Sequence, residues 1–302
     1  MKSFFVDSDH IDQRLDNFLF SYFKIPKRLI YRCIRKGQIR VNSKKIDHKY
    51  RLKKEDNITS PIFYNTNNSD YINVCKDFRE FLESSIIFEN ENYLIINKPP
   101  GLPVHGGSRI NSNLIDCFRL MRPKQDFGLV HRLDKSTSGC MLLTKKYRVL
   151  KKFNELFKNN KIQKVYHAVV HGKPKTKKIT IESSLIRKKD KIEVARKNDQ
   201  SKKSLTNCRI VKTFNKTTLL EVFPITGRMH QIRVHLSSVF HPIVHDIKYG
   251  NHGKDSSLRL FSTRMLLHAF SLKFLDPIEN KLRMFKAPYD FNFQKNLENL
   301  YL

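Results

Sequence analysis

Apolar residues near the start of the chain recur at the spacing of an α-helix. One set stands at positions i, i+3, i+4 and i+7: Leu15, Phe18, Leu19 and Tyr22. This spacing predicts an amphipathic helix with these side chains buried. A second helix is predicted to begin near Pro26 and Lys27, to bury a further apolar set and to end at Gly37. That set comprises Leu29, Ile30, Cys33 and Ile34. A short strand over 39–42 and a turn at Asn42 and Ser43 complete a small unit, which we place at residues 12–75.

Strand-like patterns dominate from residue 86 onward. Two apolar runs, 86–88 and 93–96, flank four polar residues and predict a hairpin. Helices are predicted over 113–121 and 147–157, and later strands over 164–171, 208–214, 218–223 and 267–274. Strands outnumber helices without regular alternation, which favours an α+β domain with a mixed, largely antiparallel sheet over 86–302. Residues 76–85 are predicted to form a linker between the two units.

The charge balance of the chain points to a polyanionic partner. Its 302 residues include 58 Lys and Arg against 28 Asp and Glu, a formal net charge of +30. A surplus of this size favours nucleic-acid binding through phosphate neutralisation and counterion release. Compositional drift is the alternative, because only 10 Gly, no Trp and abundant Lys also suggest AT-rich coding DNA. A hydrophobic share of 39% is enough for a core.

The cysteines and the apolar runs bear on the compartment. The five cysteines form no C-x-x-C pair, which predicts reduced thiols rather than a disulfide framework or a zinc knuckle: Cys33, Cys75, Cys117, Cys140 and Cys208. No apolar run approaches the roughly eighteen residues of a membrane span. We therefore expect a soluble cytoplasmic protein.

A nine-residue run, 131–139, carries the strongest chemical signal. It reads H-R-L-D-K-S-T-S-G and stands between two apolar stretches. This context predicts that Asp134 lies at a strand end, with Arg132 two residues away to bind an anionic group. The alternative for a bare Arg-x-Asp is a surface turn with an incidental ion pair.

A second run, 226–235, reads T-G-R-M-H-Q-I-R-V-H and is predicted to open a helix, whose N-terminus attracts anions. Arg228 and Arg233 are five residues apart, so one can contact phosphate while the other points inward. A metal site is the alternative, because four histidines lie close in sequence: His230, His235, His241 and His245. No nearby Cys or Glu completes a site, so we expect no metal.

Two further features bear on RNA. Residues 164–172 read K-V-Y-H-A-V-V-H-G, a strand on which Tyr166 belongs either to the core or to a site. The second predicted helix carries charges of one sign only on its polar face: Lys27, Arg28, Arg32, Arg35 and Lys36. A run of charges is usually a solvated face, but a face of one sign better suits phosphate.

These runs resemble the motifs of the RluA-type pseudouridine synthases, which are H-R-L-D-x-x-T-S-G, T-G-R-T-H-Q-I-R-V-H and K-x-Y-x-A-x-V-x-G. Residues 14–42 resemble an S4 RNA-binding domain. Three positions depart from the family patterns: Met229 replaces threonine, and Glu55 and His245 stand where glycine is usual. The resemblance implies the pseudouridine synthase fold, preceded by a small α/β S4 domain.

The resemblance also implies roles for residues. Asp134 is the catalytic carboxylate, Arg233 its partner, and Tyr166 the ring beside the target base. Arg132 fills the space that a flipped base leaves, and Arg228 and the helix cations bind RNA. No cofactor is implied. The implied partner is 23S ribosomal RNA, protein-free or partly assembled, and we expect a monomer. The alternatives are another S4-containing family member and a non-catalytic S4 ribosome-assembly factor.

Overall fold

The computed structural model describes residues 1–23, 27–62, 76–106, 113–189, 191–196 and 200–301, with Lys27 described by its backbone only. The N-terminal unit contains β1 (Lys2–Phe5), a 3-10 turn (Ser8–His10), α1 (Leu15–Phe23), α2 (Lys27–Arg35), β2 (Arg40–Val41), β3 (Lys44–Lys45) and β4 (Asn57–Ser60). The strands form an antiparallel sheet in the order β1-β4-β2-β3.

The predicted helices of this unit are confirmed. Helix α1 buries three residues of its predicted face, while Tyr22 is 44% exposed and stacks on Phe4 with ring centroids 4.4 Å apart. Helix α2 buries Ile30, Cys33 and Ile34. Gly37 follows it with a φ of +69°, the left-handed conformation in which glycine ends helices. Pro26, predicted at the start of α2, lies outside the described residues.

The second unit begins with α3 (Lys76–Ser84) and contains most of the chain. It continues with β5 (Ile86–Glu89), β6 (Tyr93–Lys98), α4 (Leu114–Met121), β7 (Gly128–Leu129), β8 (Ser138–Thr144), α5 (Tyr147–Lys158), β9 (Gln163–His171), β10 (Lys178–Lys188), β11 (Lys191–Val194), β12 (Lys202–Thr213), β13 (Thr217–Pro224), α6 (Gln231–Ser238), α7 (His252–Ser256), β14 (Leu267–Leu275), β15 (Leu282–Lys286) and α8 (Phe291–Tyr301). Over the described ranges these helices include none that is long and apolar enough to cross a membrane.

The large sheet confirms the α+β prediction. Within the described residues it has 11 strands, in the order β11-β10-β12-β13-β9-β14-β8-β6-β5, with β15 beside β14 and β7 beside β8. Strand pairs are antiparallel except β14 with β8, which run parallel. The predicted hairpin is the pair β5 and β6. Strands β10 and β11 were not predicted, because two serines break the apolar alternation of β10 and β11 has only four residues.

Residues 76–85, predicted as a linker, contain helix α3. Leu82 is fully buried in the same core cluster as Phe118 of α4, and Phe78 packs against that cluster. Arg79 Nη2 donates to the carbonyl of Met121 at 2.9 Å. Phe78, Phe81 and Leu82 stand at helical spacing, but the polar stretch before them concealed this short signal. Helix α3 therefore packs with the large unit.

The parallel pairing of β8 with β14 positions the start of β8. Gly139 lies at this start with a φ of +111°, and a Cβ there would stand 2.2 Å from the carbonyl oxygen of Ala269 on β14. No other residue fits this conformation and this approach. The glycine that closes the nine-residue run therefore lets the loop containing Asp134 enter the centre of the sheet.

The two units meet through polar contacts at α5. Lys151 Nζ donates to Asp12 Oδ2 at 2.9 Å, and Arg148 Nε lies 3.3 Å from Asp9 Oδ1. These ion pairs are largely solvent-exposed, so each contributes at most about 1 kcal/mol to the contact.

Candidate active site

Asp134 lies in the loop between β7 and β8. Its carbonyl accepts a hydrogen bond from the N–H of Thr137 at 3.1 Å, which closes a turn ahead of β8. Its carboxylate is about one quarter exposed. Oδ2 accepts from Arg233 Nη1 at 2.8 Å, while Oδ1 lies 3.8 Å from His230 Nε2. One carboxylate oxygen is thus held by arginine, and the other is left for a substrate.

Arg233 on α6 is fixed from its other side by Asp246. Its Nε and Nη2 donate to the two carboxylate oxygens of Asp246, each at 2.7 Å. Asp246 is fully buried and also accepts from the backbone N–H groups of Lys248 and Tyr249. Burial acts to raise the pKa of Asp246, but the hydrogen bonds and charge of Arg233 outweigh it and hold the pKa below its ordinary value. The paired guanidinium is rigid, which fixes Nη1 against Asp134.

Tyr166 on β9 forms a wall of the same site. Burial raises the pKa of its hydroxyl, and the negative charge of Asp134 raises it further. The phenol is therefore neutral at physiological pH and presents a half-buried ring. A ring in this position can stack on an extruded base.

The side chains enclose a cavity of about 110 Å³. Its lining includes Arg132, Asp134, Thr137, Lys164, Tyr166, Arg228, His230, Arg233 and Leu267. The volume is well below the roughly 300–1,000 Å³ of drug-sized ligand sites, so it suits a single ring. A larger groove of about 920 Å³ lies between α3 and the start of α8, lined mainly by Phe, Pro and Ile side chains. We assign the site to the smaller cavity because it holds the carboxylate and its arginine.

The predicted RNA-binding residues divide between two places. Arg228 is exposed at the rim of the cavity, and Arg132 Nη1 lies 3.0 Å from His105 Nε2. The α2 residues Arg28, Arg32, Arg35 and Lys36 are exposed in the N-terminal unit and do not line the cavity. The side chain of Lys27 lies outside the described residues.

Sequence reasoning missed Lys98 as a support of the site. Its fully buried Nζ donates to the carbonyls of Pro99, Leu102 and Lys135, which ties the loop after β6 to the loop containing Asp134. Burial lowers the pKa of Lys98 to about 7. The positive charge of Arg264 also lowers this pKa, whereas the negative charge of Asp134 opposes both effects. The N-K-P-P-G run was a signal for this residue, but nothing local indicates which carbonyls it meets.

The clustered histidines have different partners. His230 Nδ1 lies 2.8 Å from the Tyr249 hydroxyl, and His235 Nε2 lies 2.8 Å from the Ser204 hydroxyl. His241 Nδ1 contacts the backbone carbonyl of His171, and the backbone N–H of His245 donates to the carboxylate of Asp255. Across the ranges that the structure describes, no group of three or more His, Cys, Asp or Glu side chains could hold a metal ion.

Family models match both units. A model described as RNA pseudouridylate synthase matches residues 92–238, and the S4 domain model matches residues 13–58. The chain is 38% identical to the ribosomal large subunit pseudouridine synthase C of Buchnera aphidicola subsp. Baizongia pistaciae, over 95% of this chain and 94% of that protein. The protein of the same description from Vibrio parahaemolyticus is 37% identical, over 98% and 95%.

Solved structures agree on the fold. Human RNA pseudouridylate synthase domain containing 4 superposes with a TM-score of 0.62 at 26% identity, over 74% of this chain and 95% of that one. Human RNA pseudouridylate synthase domain containing 1 gives a TM-score of 0.58 at 27% identity, over 68% and 84%. The similarity therefore extends from sequence motifs to the arrangement of the sheet.

Proposed function

The chain belongs to the RNA pseudouridine synthases, and we propose that it isomerises uridines of large-subunit, 23S ribosomal RNA with Asp134 as the catalytic carboxylate. Family membership, which confirms the resemblance found in the three motifs, makes the chain an isomerase acting on RNA. The substrate is inferred from the names of the curated relatives and from the S4 domain. The observation that carries the role of Asp134 is its position in the cavity, 2.8 Å from the fixed Arg233.

The reaction requires few catalytic groups. The N1–C1′ bond of uridine breaks, the uracil turns, and C5 bonds to C1′. C5 gives up its proton and N1 regains one, so the product is an isomer and no redox cofactor or energy input is needed. The carboxylate can act as a nucleophile on the sugar or base, or as a base towards a sugar proton. In each case Oδ1 is the better placed oxygen, because Oδ2 already accepts a hydrogen bond from Arg233.

The size of the cavity requires that the target nucleotide leaves its helix. Extrusion costs a few kcal/mol and is least costly in loops and weak helices. Tyr166 offers a ring for the flipped base to stack on, and Arg132 at the rim fills the vacated position in the RNA. Targets in several such loops of 23S RNA are expected, with little activity on tRNA.

The N-terminal unit supplies affinity under this proposal. The exposed cations of α2 bind phosphates of RNA outside the cavity, and Arg228 binds at the rim. We assign residues 12–75 to RNA binding and 86–302 to catalysis, with α3 packed on the catalytic part. The proposal includes a monomer acting in the cytoplasm on protein-free or partly assembled 23S RNA, because naked RNA exposes the weak helices that extrusion requires.

Tritium release from RNA labelled at C5 of uridine tests the proposal, since C5 loses its hydrogen. Wild-type protein should release tritium from 23S RNA and little from tRNA. Asp134→Asn preserves the shape of the side chain and should reduce release by about a thousandfold or more, while RNA binding stays unchanged. Activity retained by Asp134→Asn would refute the role of Asp134. Efficient tRNA modification with 23S RNA untouched would refute the substrate.

A further inference from the structure

His230 shares the cavity with Asp134. It precedes α6 with a φ of +53°, a left-handed conformation that is uncommon for non-glycine residues but more frequent for Asn, Asp and His. This backbone turns the imidazole towards Asp134, and its Nε2 lies 3.8 Å from Oδ1 of that carboxylate. A separation of 3.8 Å is too long for a hydrogen bond. Nε2 therefore faces Oδ1 across a gap.

A chain of hydrogen bonds fixes the proton of this imidazole. The backbone N–H of Ile192 on β11 donates to the Tyr249 hydroxyl oxygen at 3.0 Å, and the same oxygen lies 2.8 Å from His230 Nδ1. The N–H of Ile192 can only donate, which leaves the single hydroxyl hydrogen of Tyr249 available to point to His230. Nδ1 is then an acceptor, and the imidazole proton is on Nε2.

The other tautomer gives the Tyr249 hydroxyl no donating bond among the described residues. If Nδ1 carried the proton, the hydroxyl oxygen would accept from both Nδ1 and the N–H of Ile192, and the hydroxyl hydrogen would be left for solvent. The burial of the ring favours its neutral form. Burial lowers the pKa of His230; Asp134 and Asp246 oppose this effect, while Arg233 and Lys248 support it. A neutral imidazole with the proton on Nε2 has a donor, not a base, towards the cavity.

We propose that His230 is a further substrate-contacting residue, whose Nε2–H donates to an oxygen of the flipped uridine beside Oδ1 of Asp134. Tyr249 is a positioning residue that sets the tautomer. The acceptor is a neutral oxygen of the nucleotide, either a uracil carbonyl or the ribose 2′-oxygen. The inference rests on the proposed function, because it presumes that a uridine enters this cavity.

Three substitutions distinguish the loss of the hydrogen-bond donor from a disturbance of the loop structure. His230→Gln places an amide donor near the position of Nε2, whereas His230→Asn suits the left-handed backbone but is too short to reach it. We expect His230→Asn to lower kcat about tenfold, the effect of losing one hydrogen bond of about 1.4 kcal/mol. His230→Gln should recover most of that loss. Met229→Ala, at the exposed neighbouring position, is the control for disturbance of the loop and should leave kcat unchanged.

Tyr249→Phe tests the positioning role. Phenylalanine keeps a ring for the Arg233 guanidinium, which lies 5.0 Å from the tyrosine ring centroid, but removes the hydroxyl. The imidazole can then adopt both tautomers, so kcat should fall several-fold with KM nearly constant. Full kcat in both His230→Asn and Tyr249→Phe would overturn the proposal while leaving the role of Asp134 intact.

Long-range ¹H–¹⁵N NMR of the imidazole nitrogens provides a readout that does not need catalysis. The signal absent from His230→Gln identifies His230, which should show a protonated Nε2 and a bare Nδ1 in the wild type. Tyr249→Phe should shift both nitrogens towards averaged values. A protonated Nδ1 in the wild type would overturn the proposal even if the enzyme modifies RNA as expected.

The oxygen that accepts the bond can be identified by binding. In the inactive Asp134→Asn background, the affinity for an RNA hairpin carrying the target uridine is compared with its 2′-deoxyuridine counterpart. A ribose acceptor predicts that His230→Asn weakens only the uridine hairpin, whereas a uracil carbonyl predicts equal weakening of both. The absence of weakening for either hairpin contradicts a contact with the nucleotide.

Discussion

Helix α2 and the cavity around Asp134 both contain several positively charged residues, but the charges have opposite surroundings. On α2, Arg28, Arg32, Arg35 and Lys36 are exposed, and within the described part of the chain none of them has an acidic partner. In the cavity, the Arg233 side chain is only 10% exposed and donates to two carboxylates. Exposed cations give affinity that is spread over many contacts and weakened by salt. A buried arginine that is paired with two carboxylates instead fixes the positions of those carboxylates.

The two arrangements differ in how much one substitution costs. Removing one cation from α2 removes one phosphate contact among several. Removing one partner of a buried pair leaves an uncompensated charge, which costs about 3–5 kcal/mol. The comparison thus predicts large effects on turnover from the cavity and graded effects on affinity from α2.

Among the cations of the two regions, the largest effect is expected at Arg233. Arg233→Ala leaves Asp134 without its partner and should lower kcat by roughly a hundredfold, the equivalent of about 2.7 kcal/mol. Arg233→Lys should rescue only part of this loss, because an ammonium lacks the planar fork that bridges two carboxylates. Single-turnover kinetics and filter binding measure turnover and affinity separately. A variant with normal turnover and weak binding would place Arg233 in the same class as the α2 cations.

A loss of stability is expected at Asp246. Asp246→Asn keeps an acceptor for the N–H groups of Lys248 and Tyr249 but leaves Arg233 buried without its bidentate partner. The free energy of unfolding should fall by about 3 kcal/mol. The folded-state pKa of Asp246 is lowered, so its contribution is full above pH about 4 and is lost as pH falls through the folded value. In urea titrations of both proteins between pH 7 and pH 3, the difference should therefore begin to narrow below pH about 4; a constant difference would contradict the pairing.

A graded effect is expected from α2. The combined variant Arg28→Gln, Arg32→Gln and Arg35→Gln should reduce the slope of log Kd against log salt by roughly two, since each lost phosphate contact removes about 0.7–0.9. Turnover at saturating RNA should not change. The matched control removes three exposed cations outside this unit: Lys158→Gln, Lys161→Gln and Lys281→Gln. An equal loss in the control would assign the binding to overall charge rather than to α2.

The smallest effects are expected at two left-handed residues, one in the N-terminal unit and one in the large unit. Glu55 has a φ of +64° and His245 a φ of +58°, so both positions that depart from glycine in the family pattern are left-handed. Replacing a left-handed residue by glycine removes strain of about 1–2 kcal/mol from the folded state. The greater flexibility of glycine in the unfolded chain offsets about 0.5–1 kcal/mol of this gain in the free energy of unfolding. Glu55→Gly should raise the melting temperature slightly because its side chain is exposed. His245→Gly should not, because its imidazole is mostly buried near Asp255. Equal gains in calorimetry would show that the imidazole contributes nothing.

Local patterns predicted much of the secondary structure. Helix α1 follows from the i, i+3, i+4 spacing of Leu15, Phe18 and Leu19, and strand β9 from an apolar run over 165–170 that only His167 interrupts. Helix α3 was missed because its apolar signal spans only five residues. Strands β10 and β11 were missed because Ser183 and Ser184 interrupt the alternation of β10 and because β11 is only four residues long.

The motifs by themselves determined the family, the fold class and the choice of Asp134, Arg233 and Tyr166, because they record chemistry in a few adjacent residues. Only the tertiary structure decided the partners. Arg233 meets Asp134 across 99 positions of sequence, and Lys98 holds the carbonyl of Lys135 across 37. The chain from Ile192 through Tyr249 to His230 likewise joins a strand, a loop and a helix. Periodicity shows which face of an element is buried, but the order of strands in the sheet sets which buried faces meet, and therefore which polar groups pair.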